Sequence, residues 1–490
     1  MRRLIKLALL LYSLCLLLSS TMAVNPGVQM RLTERGLNYV NTLAENSIKT
    51  ELQTLKIADQ SGQSGHLSWE LKNIQVQSVA GPNSQITFNP EVAGLTWSLY
   101  NFGINLRSDW HAKYKQGWVK ISDGGSLTVS LGDVSLTVAV GFGQKEGRPS
   151  ISSKSCNAHI GNIDISFHGG SAIILNLLKG IVEGRMKDIL ESRICEVANK
   201  MINEDAEESL STMNVYITID NRFLLDYGLM AAPIVSSSFL QTLNKGEVYW
   251  KADMQECPFS PSAIPEWGEF NSMLYLWLTE YTANTFAYQA HHHGYLKYNM
   301  TKDNLAPDKA VYLNTSCSSM CIGNIIKEIS KAYPESWVEL RFNSTAVPNA
   351  NITSQNITAS AVADVELFAH TPDGGTHYVL TFSLSLSMTA QASIEGEKLI
   401  ASIIDHSFDV TLVRSDIGEI NVRKAKIFFE TFLTFVIIPQ LNQLGKAGID
   451  LPVSKDVQFL NTKLILQDGV LLVATDAQYK GSIYFLSEAH

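Results

Sequence analysis

The chain has 490 residues, 45% apolar and 17% charged, which is the composition of folded cores and not of a disordered chain. Its length suggests two to four domains, and its net charge of −9 excludes a general affinity for nucleic acid. The charge is uneven: residues 24–225 hold 18 Lys/Arg against 20 Asp/Glu, whereas residues 226–490 hold 17 against 27. The first half is therefore the one suited to an anionic surface, through a local patch.

Residues 1–23 read as a secretory leader. Arg2, Arg3 and Lys6 form its basic region and Leu4–Leu18 its apolar one, and Thr21-Met22-Ala23 places a small residue at the cleavage position. The expected product is a secreted, extracellular protein starting at Val24. No later uncharged apolar run reaches the ~18 residues of a membrane span.

Helical spacing follows, with Leu37, Val40, Ala44, Ile48, Leu52 and Leu55 on one face. After the Gly-rich turn Gln60–Gly65 come short alternating segments: Leu71–Val76, Ile86–Phe88, Trp97–Leu106, Trp118–Ile121, Leu127–Leu131 and Val134–Phe142. They predict an antiparallel meander with one face for a core. Gly132-Asp133 shifts the phase, as a turn or bulge does. Ala172–Met201 is a second helix, striped by Leu175, Leu178, Val182, Met186, Leu190, Ile194, Val197 and Met201. Gly180 and Gly184 weaken it slightly or admit a close neighbour.

Residues 226–267 read as a joint. The short strand Gly246–Lys251 lies among Pro233, Pro258, Pro261 and Pro265, and proline resists both helix and central strand. The division is then an N-terminal domain at 24–225, a proline-rich linker and central sheet at 226–267, and a C-terminal domain at 268–490. Past the joint the grammar repeats: strand Met273–Leu278, helix Thr279–Ala290, a short helix Ile322–Tyr333 ending before Pro334, strands Tyr378–Ile394 and Leu399–Leu412, and the apolar helix Ile427–Leu444, kinked at Pro439. Ile160-Gly-Asn-Ile-Asp-Ile and Ile417-Gly-Glu-Ile-Asn-Val echo one another, each about ten residues before a long helix, which points to duplication.

Without the leader, Cys156, Cys195, Cys257, Cys317 and Cys321 remain, an odd number. A bridge from Cys156 to Cys195 would staple helix to sheet across a loop of about 40 residues, worth on the order of 3–4 kcal/mol. Cys317 and Cys321 can pair only where the backbone leaves the helix. Zinc is the alternative there, but no second ligand pair stands at useful spacing. Five sequons, at Asn299, Asn314, Asn343, Asn351 and Asn356, predict a glycosylated, solvent-facing region. No catalytic or metal site is expected. There is no Gly-x-Ser-x-Gly, His-Glu-x-x-His or P-loop. Asp405-His406-Ser407 are chain neighbours and not a triad assembled in space, and His291-His292-His293 read as an exposed turn.

The chain resembles the family of the bactericidal permeability-increasing and lipopolysaccharide-binding proteins. The likeness is carried by Val24-Asn25-Pro26-Gly27-Val28, Gly36-Leu37-Asn38-Tyr39, Cys156 with Cys195, Tyr227-Gly228-Leu229 with Pro233, Lys245-Gly246-Glu247, Met273-Leu274-Tyr275-Leu276, Ile438-Pro439-Gln440-Leu441-Asn442 and Leu451-Pro452. It implies an α+β boomerang of two pseudo-symmetric antiparallel barrel-plus-helix lipid-binding domains joined by a central sheet, with Cys156–Cys195 as the shared disulfide. It also implies a bound phospholipid in each domain and no other cofactor. The helix-face candidates for those pockets are Val40, Ala44, Ile48, Leu178, Val182, Phe432 and Val436, and ordinary core is the alternative for each.

Trp110–Lys120 matches one of the family's basic tip hairpins. Trp110, Lys113, Lys115, Trp118 and Lys120 are the candidates for lipopolysaccharide, because lysine neutralises phosphate and tryptophan suits an apolar–polar boundary. The family's other basic tip segment is here Gln60–Trp69, with His66 but no Lys or Arg. The resemblance implies a secreted innate-immunity protein that binds lipopolysaccharide and phospholipid at the bacterial outer-membrane surface and kills by permeabilising it. The alternative is an extracellular phospholipid or neutral-lipid transfer protein. A monomer is expected, with a disulfide-linked dimer left open by the odd cysteine.

Overall fold

The structure is a computed structural model that describes residues 25–318, 320–451 and 456–480. The leader, the expected start at Val24, and Pro452 lie outside the described residues.

In the first half, β1 (Val28–Thr33) leads into α1 (Glu34–Gln53), whose start is capped by the Thr33 hydroxyl accepting from the Gly36 N–H. Six strands follow: β2 (Gln60–Ser64), β3 (Leu67–Ala80), β4 (Asn83–Asn89), β5 (Gly94–Gln116), β6 (Val119–Lys145) and β7 (Arg148–His168). They form one antiparallel sheet in the order β2-β3-β5-β6-β7, with β4 paired to β5. Of the short segments legible in the sequence, Leu71–Val76 lies in β3 and Ile86–Phe88 in β4, and the others are pieces of two very long strands, β5 and β6. Gly132-Asp133 belongs to a bulge within them. Asn101 and Asp133 take left-handed backbone (φ 55° and 52°), and pairing resumes at Phe102 with Val134. Asn and Asp tolerate that conformation.

α2 (Ala172–Lys200) then lies along β7 and buries Ile174, Leu178, Val182, Met186, Leu190 and Ile194 against the sheet. Gly180 and Gly184 have no neighbour within 4 Å of an added Cβ, so nothing approaches them closely. The open edge of β7 is closed by side chains: the Ile160 N–H donates to Glu191 Oε1 at 2.9 Å and the Ser153 N–H to Asn203 Oδ1 at 2.8 Å. Capping an edge in this way removes a template for aggregation.

The joint is wider than its proline-rich stretch. β8 (Tyr216–Ile219), β9 (Phe223–Asp226) and β12 (Glu247–Trp250) make a small sheet ordered β12-β9-β8. The central sheet draws on distant segments: β1, β10 (Ile234–Val235), β11 (Phe239–Asn244), β13 (Leu274–Thr279), β21 (Val457–Gln467) and β22 (Val470–Tyr479), in the order β10-β11-β1-β13-β22-β21. Gly246 (φ 67°) stands at their crossing, where an added Cβ would come within 2.9 Å of the Gly27 Cα, so only glycine fits.

In the second half, α3 (Glu280–His292) precedes β14 (Lys297–Met300), β15 (Trp337–Ser344), β16 (Asn349–Ile352), β17 (Ile357–His370), β18 (Thr376–Glu395), β19 (Lys398–Ser415) and β20 (Ile449–Asp450). The sheet runs β14-β15-β17-β18-β19-β20, with β16 on β17. α4 (Val422–Ala447) packs across it. Its π-helical turn, Leu433–Ile437, immediately precedes Ile438-Pro439 and makes room for the proline, whose ring would clash with the carbonyl four residues back.

Three expectations fail locally. Ile322–Tyr333 is two short turns, Ile322–Ile325 and Lys327–Ala332, broken where buried Ile326 leaves helical geometry (φ −106°, ψ 87°). The sequence echo is not a structural equivalence, since Ile160 lies within β7 and Ile417 in the loop before α4. Nor are His291–His293 an exposed turn throughout: His292 is exposed, but His291 and His293 are half-buried. They end α3, with His292 stacked on Tyr288 at 4.1 Å and His293 on Trp250 at 4.8 Å.

Candidate lipid-binding sites

The β5/β6 hairpin ends at Gln116-Gly117-Trp118-Val119, where Gly117 supplies the positive φ (60°) of the turn. Strand alternation decides each side chain's place. Trp110, Ala112 and Tyr114 face the core side, and His111, Lys113 and Lys115 face outward. Lys115 stands directly opposite Lys120, and Lys113 opposite Ser122, so the three lysines share one face. None of them makes an ion pair within 4 Å among the described residues; the nearby Glu70 is held by Lys72 at 3.0 Å. Like charges directly opposite on a sheet repel, so this face is electrostatically unfinished. Trp118 projects from the turn and is 92% exposed.

Trp110, by contrast, is 3% exposed and packs edge-on against Phe167 at 5.7 Å. It anchors the base of the hairpin, and its expected role in surface contact is corrected. The β2/β3 turn lies alongside: the Lys115 N–H donates to the His66 carbonyl at 2.9 Å, and the His66 ring meets Tyr114 edge-on at 6.2 Å. The segment lacking Lys and Arg is thus a neighbour of the lysine face. At the hairpin base the Asp123 carboxyl accepts from the Ser171 and Gly124 N–H groups, which hold it below its usual range.

The second site is an apolar cavity of about 440 Å³ between α4 and the inner face of the second-half sheet, within the size range of small-molecule sites. Leu384, Leu386 and Phe408 line it from the sheet, Leu433 and Ile437 from the helix, and Tyr298 and Leu444 at its margins. The expected pocket residues divide between the two halves. Ile48, Leu178 and Val182 are fully buried in the first-half core, Ala44 is half-buried against it, and Val40 is exposed. Phe432 and Val436 are buried beside the cavity and do not line it; their helical neighbours Leu433 and Ile437 do. The signal for the lining was present in the alternation of β18, whose Leu384 and Leu386 point inward.

Cys156 and Cys195 are bridged (Cα–Cα 5.8 Å), tying β7 to α2. Cys317 and Cys321 are bridged too (Cα–Cα 6.3 Å), because Cys321 is extended (φ −141°) and not helical. That pairing removes the zinc alternative, and no metal-ligand cluster occurs among the described residues. Cys257 is the free thiol, half-buried and pushed up to about 12 by burial and by Glu247. Of the sequon residues, Asn299, Asn343 and Asn351 are exposed and Asn314 and Asn356 half-buried. All five lie on or beside β14–β17.

Two half-barrels, each closed by a long helix, flank a shared sheet; one carries a basic hairpin and the other an apolar cavity. This defines a two-domain protein of paired half-barrel-plus-helix units. The model of the LBP / BPI / CETP family N-terminal domain matches residues 36–213, and that of the C-terminal domain residues 217–479. The chain belongs to this family. It is 30% identical over 476 residues to the bactericidal permeability-increasing protein of Sebastes schlegelii, covering 96% of this chain and 98% of that one. It is 25% identical over 478 residues to the lipopolysaccharide-binding protein of Bos taurus, covering 96% and 98%. The crystal structure of lipopolysaccharide binding protein matches 94% of this chain and 100% of its own, with a TM-score of 0.60 and 24% identity.

Proposed function

We propose that this is a secreted innate-immunity protein that binds lipopolysaccharide through the β5/β6 hairpin. The observation that carries the reading is the lysine face: Lys113, Lys115 and Lys120, which form no ion pair within 4 Å among the described residues, beside the exposed Trp118. Phosphates on lipid A would supply the missing counter-charge, and the indole suits the boundary between headgroup and acyl chain. The relatives named for bactericidal action and for lipopolysaccharide binding support the same reading. Killing follows if the bound hairpin displaces the ions that hold outer-membrane lipids together. The cavity beneath α4 takes the acyl part of a phospholipid. No enzyme activity is proposed.

A lipid carrier is the second reading, and the cavity is what favours it. Binding to lipopolysaccharide vesicles and to phosphatidylcholine vesicles across a salt series, with Lys113→Glu/Lys115→Glu alongside, separates the two. Salt-sensitive binding to lipopolysaccharide, lost in the double variant, is expected. Equal, salt-insensitive binding to both vesicles, unchanged in the variant, overturns the first reading.

A further inference from the structure

α4 changes character halfway along. Ala425, Phe428, Phe429, Phe432, Leu433 and Val436 are buried in the second-half core. From Ile438 to Ala447 no residue is buried, although the stretch holds Ile438, Leu441 and Leu444. The first part is also held to β19 by Lys426 with Asp409 at 3.3 Å and Glu430 with His406 at 3.3 Å. Beyond Val436 the ties are slighter: Asn442 Oδ1 accepts from the Ile403 N–H at 2.7 Å, and Lys398 Nζ donates to the Ala447 carbonyl at 3.4 Å. A segment with so few buried apolar contacts opens locally at low cost.

Both ends of this stretch can bend. At the near end the π-helical turn Leu433–Ile437 runs into Pro439, which has no N–H to give to the carbonyl four residues back. At the far end Gly448 leaves helical geometry with a φ of 70°, just before β20. Outside these bends the chain is fixed. Val436 is buried in the second-half core, and Leu451 is buried with Val28, Leu276 and Val473 of the central sheet. Residues 437–450 are therefore a strap hung between two anchored points.

The strap is also one wall of the apolar cavity. Ile437, Gln440, Leu441 and Leu444 line it, and Tyr298 of β14 stands at the opposite margin. Tyr298 and Leu444 are 48% and 70% exposed, so the cavity meets solvent between β14 and the strap. The last turn of the strap borders a second hollow of about 440 Å³, lined by Lys446 with Ser393 of β18 and Ser402 of β19. A close contact with the sheet is made at Gly445, where an added Cβ would collide with the Ala401 carbonyl oxygen. Glycine there lets the helix lie on the β19 backbone.

We infer that residues 437–450 are the gate of the cavity, and that an acyl chain enters when this strap lifts from β19. The inference rests on the reading that the cavity takes the acyl part of a phospholipid.

The test follows pyrene-labelled phosphatidylcholine passing from neutral phosphatidylcholine vesicles into the full chain. Asn442→Ala removes one tie and should speed loading and release alike, roughly fivefold, the worth of one hydrogen bond. Gly445→Val forces the strap off the Ala401 carbonyl and should speed both at least as much. Neither residue lines the cavity, so the lipid held at saturation should not change. Hydrogen exchange reads the strap without lipid: amides of residues 440–447 should exchange ahead of those of residues 425–436, and faster still in both variants. Where the parent loads and Ala363→Trp blocks loading, unchanged rates in Asn442→Ala overturn the gate and leave the cavity reading standing. Equal protection along the whole of α4 overturns the gate as well. A parent that takes up no lipid overturns the cavity reading and the gate together. Should Gly445→Val fail to fold, Asn442→Ala decides alone.

Discussion

Lys115→Glu has opposite effects on stability and on binding, and this makes it the most informative substitution. Lys115 and Lys120 face each other across the β5/β6 ladder with no acid between them. Glutamate at 115 turns that repulsion into a cross-strand attraction, worth about 0.2–1 kcal/mol of added stability. A cation near an anionic lipid surface contributes about 1 kcal/mol, so reversing its charge costs about 2 kcal/mol of binding, or roughly 30-fold in affinity. The variant should therefore melt no lower than the parent and bind lipopolysaccharide far more weakly. The difference should shrink as salt shortens the Debye length from about 30 Å at 0.01 M to about 3 Å at 1 M. Calorimetry on the free protein and a vesicle titration at two salt concentrations check both halves. A lower melting temperature accompanying the weaker binding would mean the lysines are structural. Unchanged affinity at low salt would move the binding site elsewhere.

Other outcomes follow from the same geometry. Ala363→Trp fills the cavity beneath α4, which Ala363 lines; lipid recovered by extraction and mass spectrometry should disappear, with stability shifted by no more than about 1–2 kcal/mol. Glu339 is buried and accepts from Arg341 at 2.8 Å and from His370 at 2.9 Å. Arg341 above all, with His370, holds the carboxyl below its usual range. Its stabilisation is complete above the ordinary carboxylate pKa and is lost as pH falls through the depressed one. Glu339→Gln should cost about 1–3 kcal/mol near neutrality, limited by the partial solvation of Arg341, and should flatten the acid limb of a denaturation series. Cys257, with its thiol pushed up to about 12, should react with a thiol reagent at mildly alkaline pH only when the protein is unfolded, and non-reducing electrophoresis should show a monomer; prompt labelling of the native protein would contradict the burial.

Much of the fold could be read from local pattern. The period of 3.6 along α1, α2 and α4 and the alternation of β18 depend on neighbouring residues alone, so they appear in any window of the chain. The hairpin lysines were legible for the same reason. Lys113, Lys115 and Lys120 alternate with core positions, and alternation alone places them outward. Even the C-terminal β21/β22 hairpin, unread in the sequence, carried a usable signal in its Asp468-Gly469 turn.

What no window contains is the pairing between distant segments. That β1, β13 and β22 share one sheet depends on contacts across hundreds of residues, and so did the true width of the joint. Tertiary packing also parted Trp110 from Trp118. Both are tryptophans in one basic hairpin, but the sheet's inner face buries the first while the turn carries the second into solvent. It likewise parted Phe432 from Leu433, adjacent residues on one apolar helix. A helical face shows which residues are turned inward, but whether they meet side chains or a cavity depends on what the opposite sheet leaves unfilled.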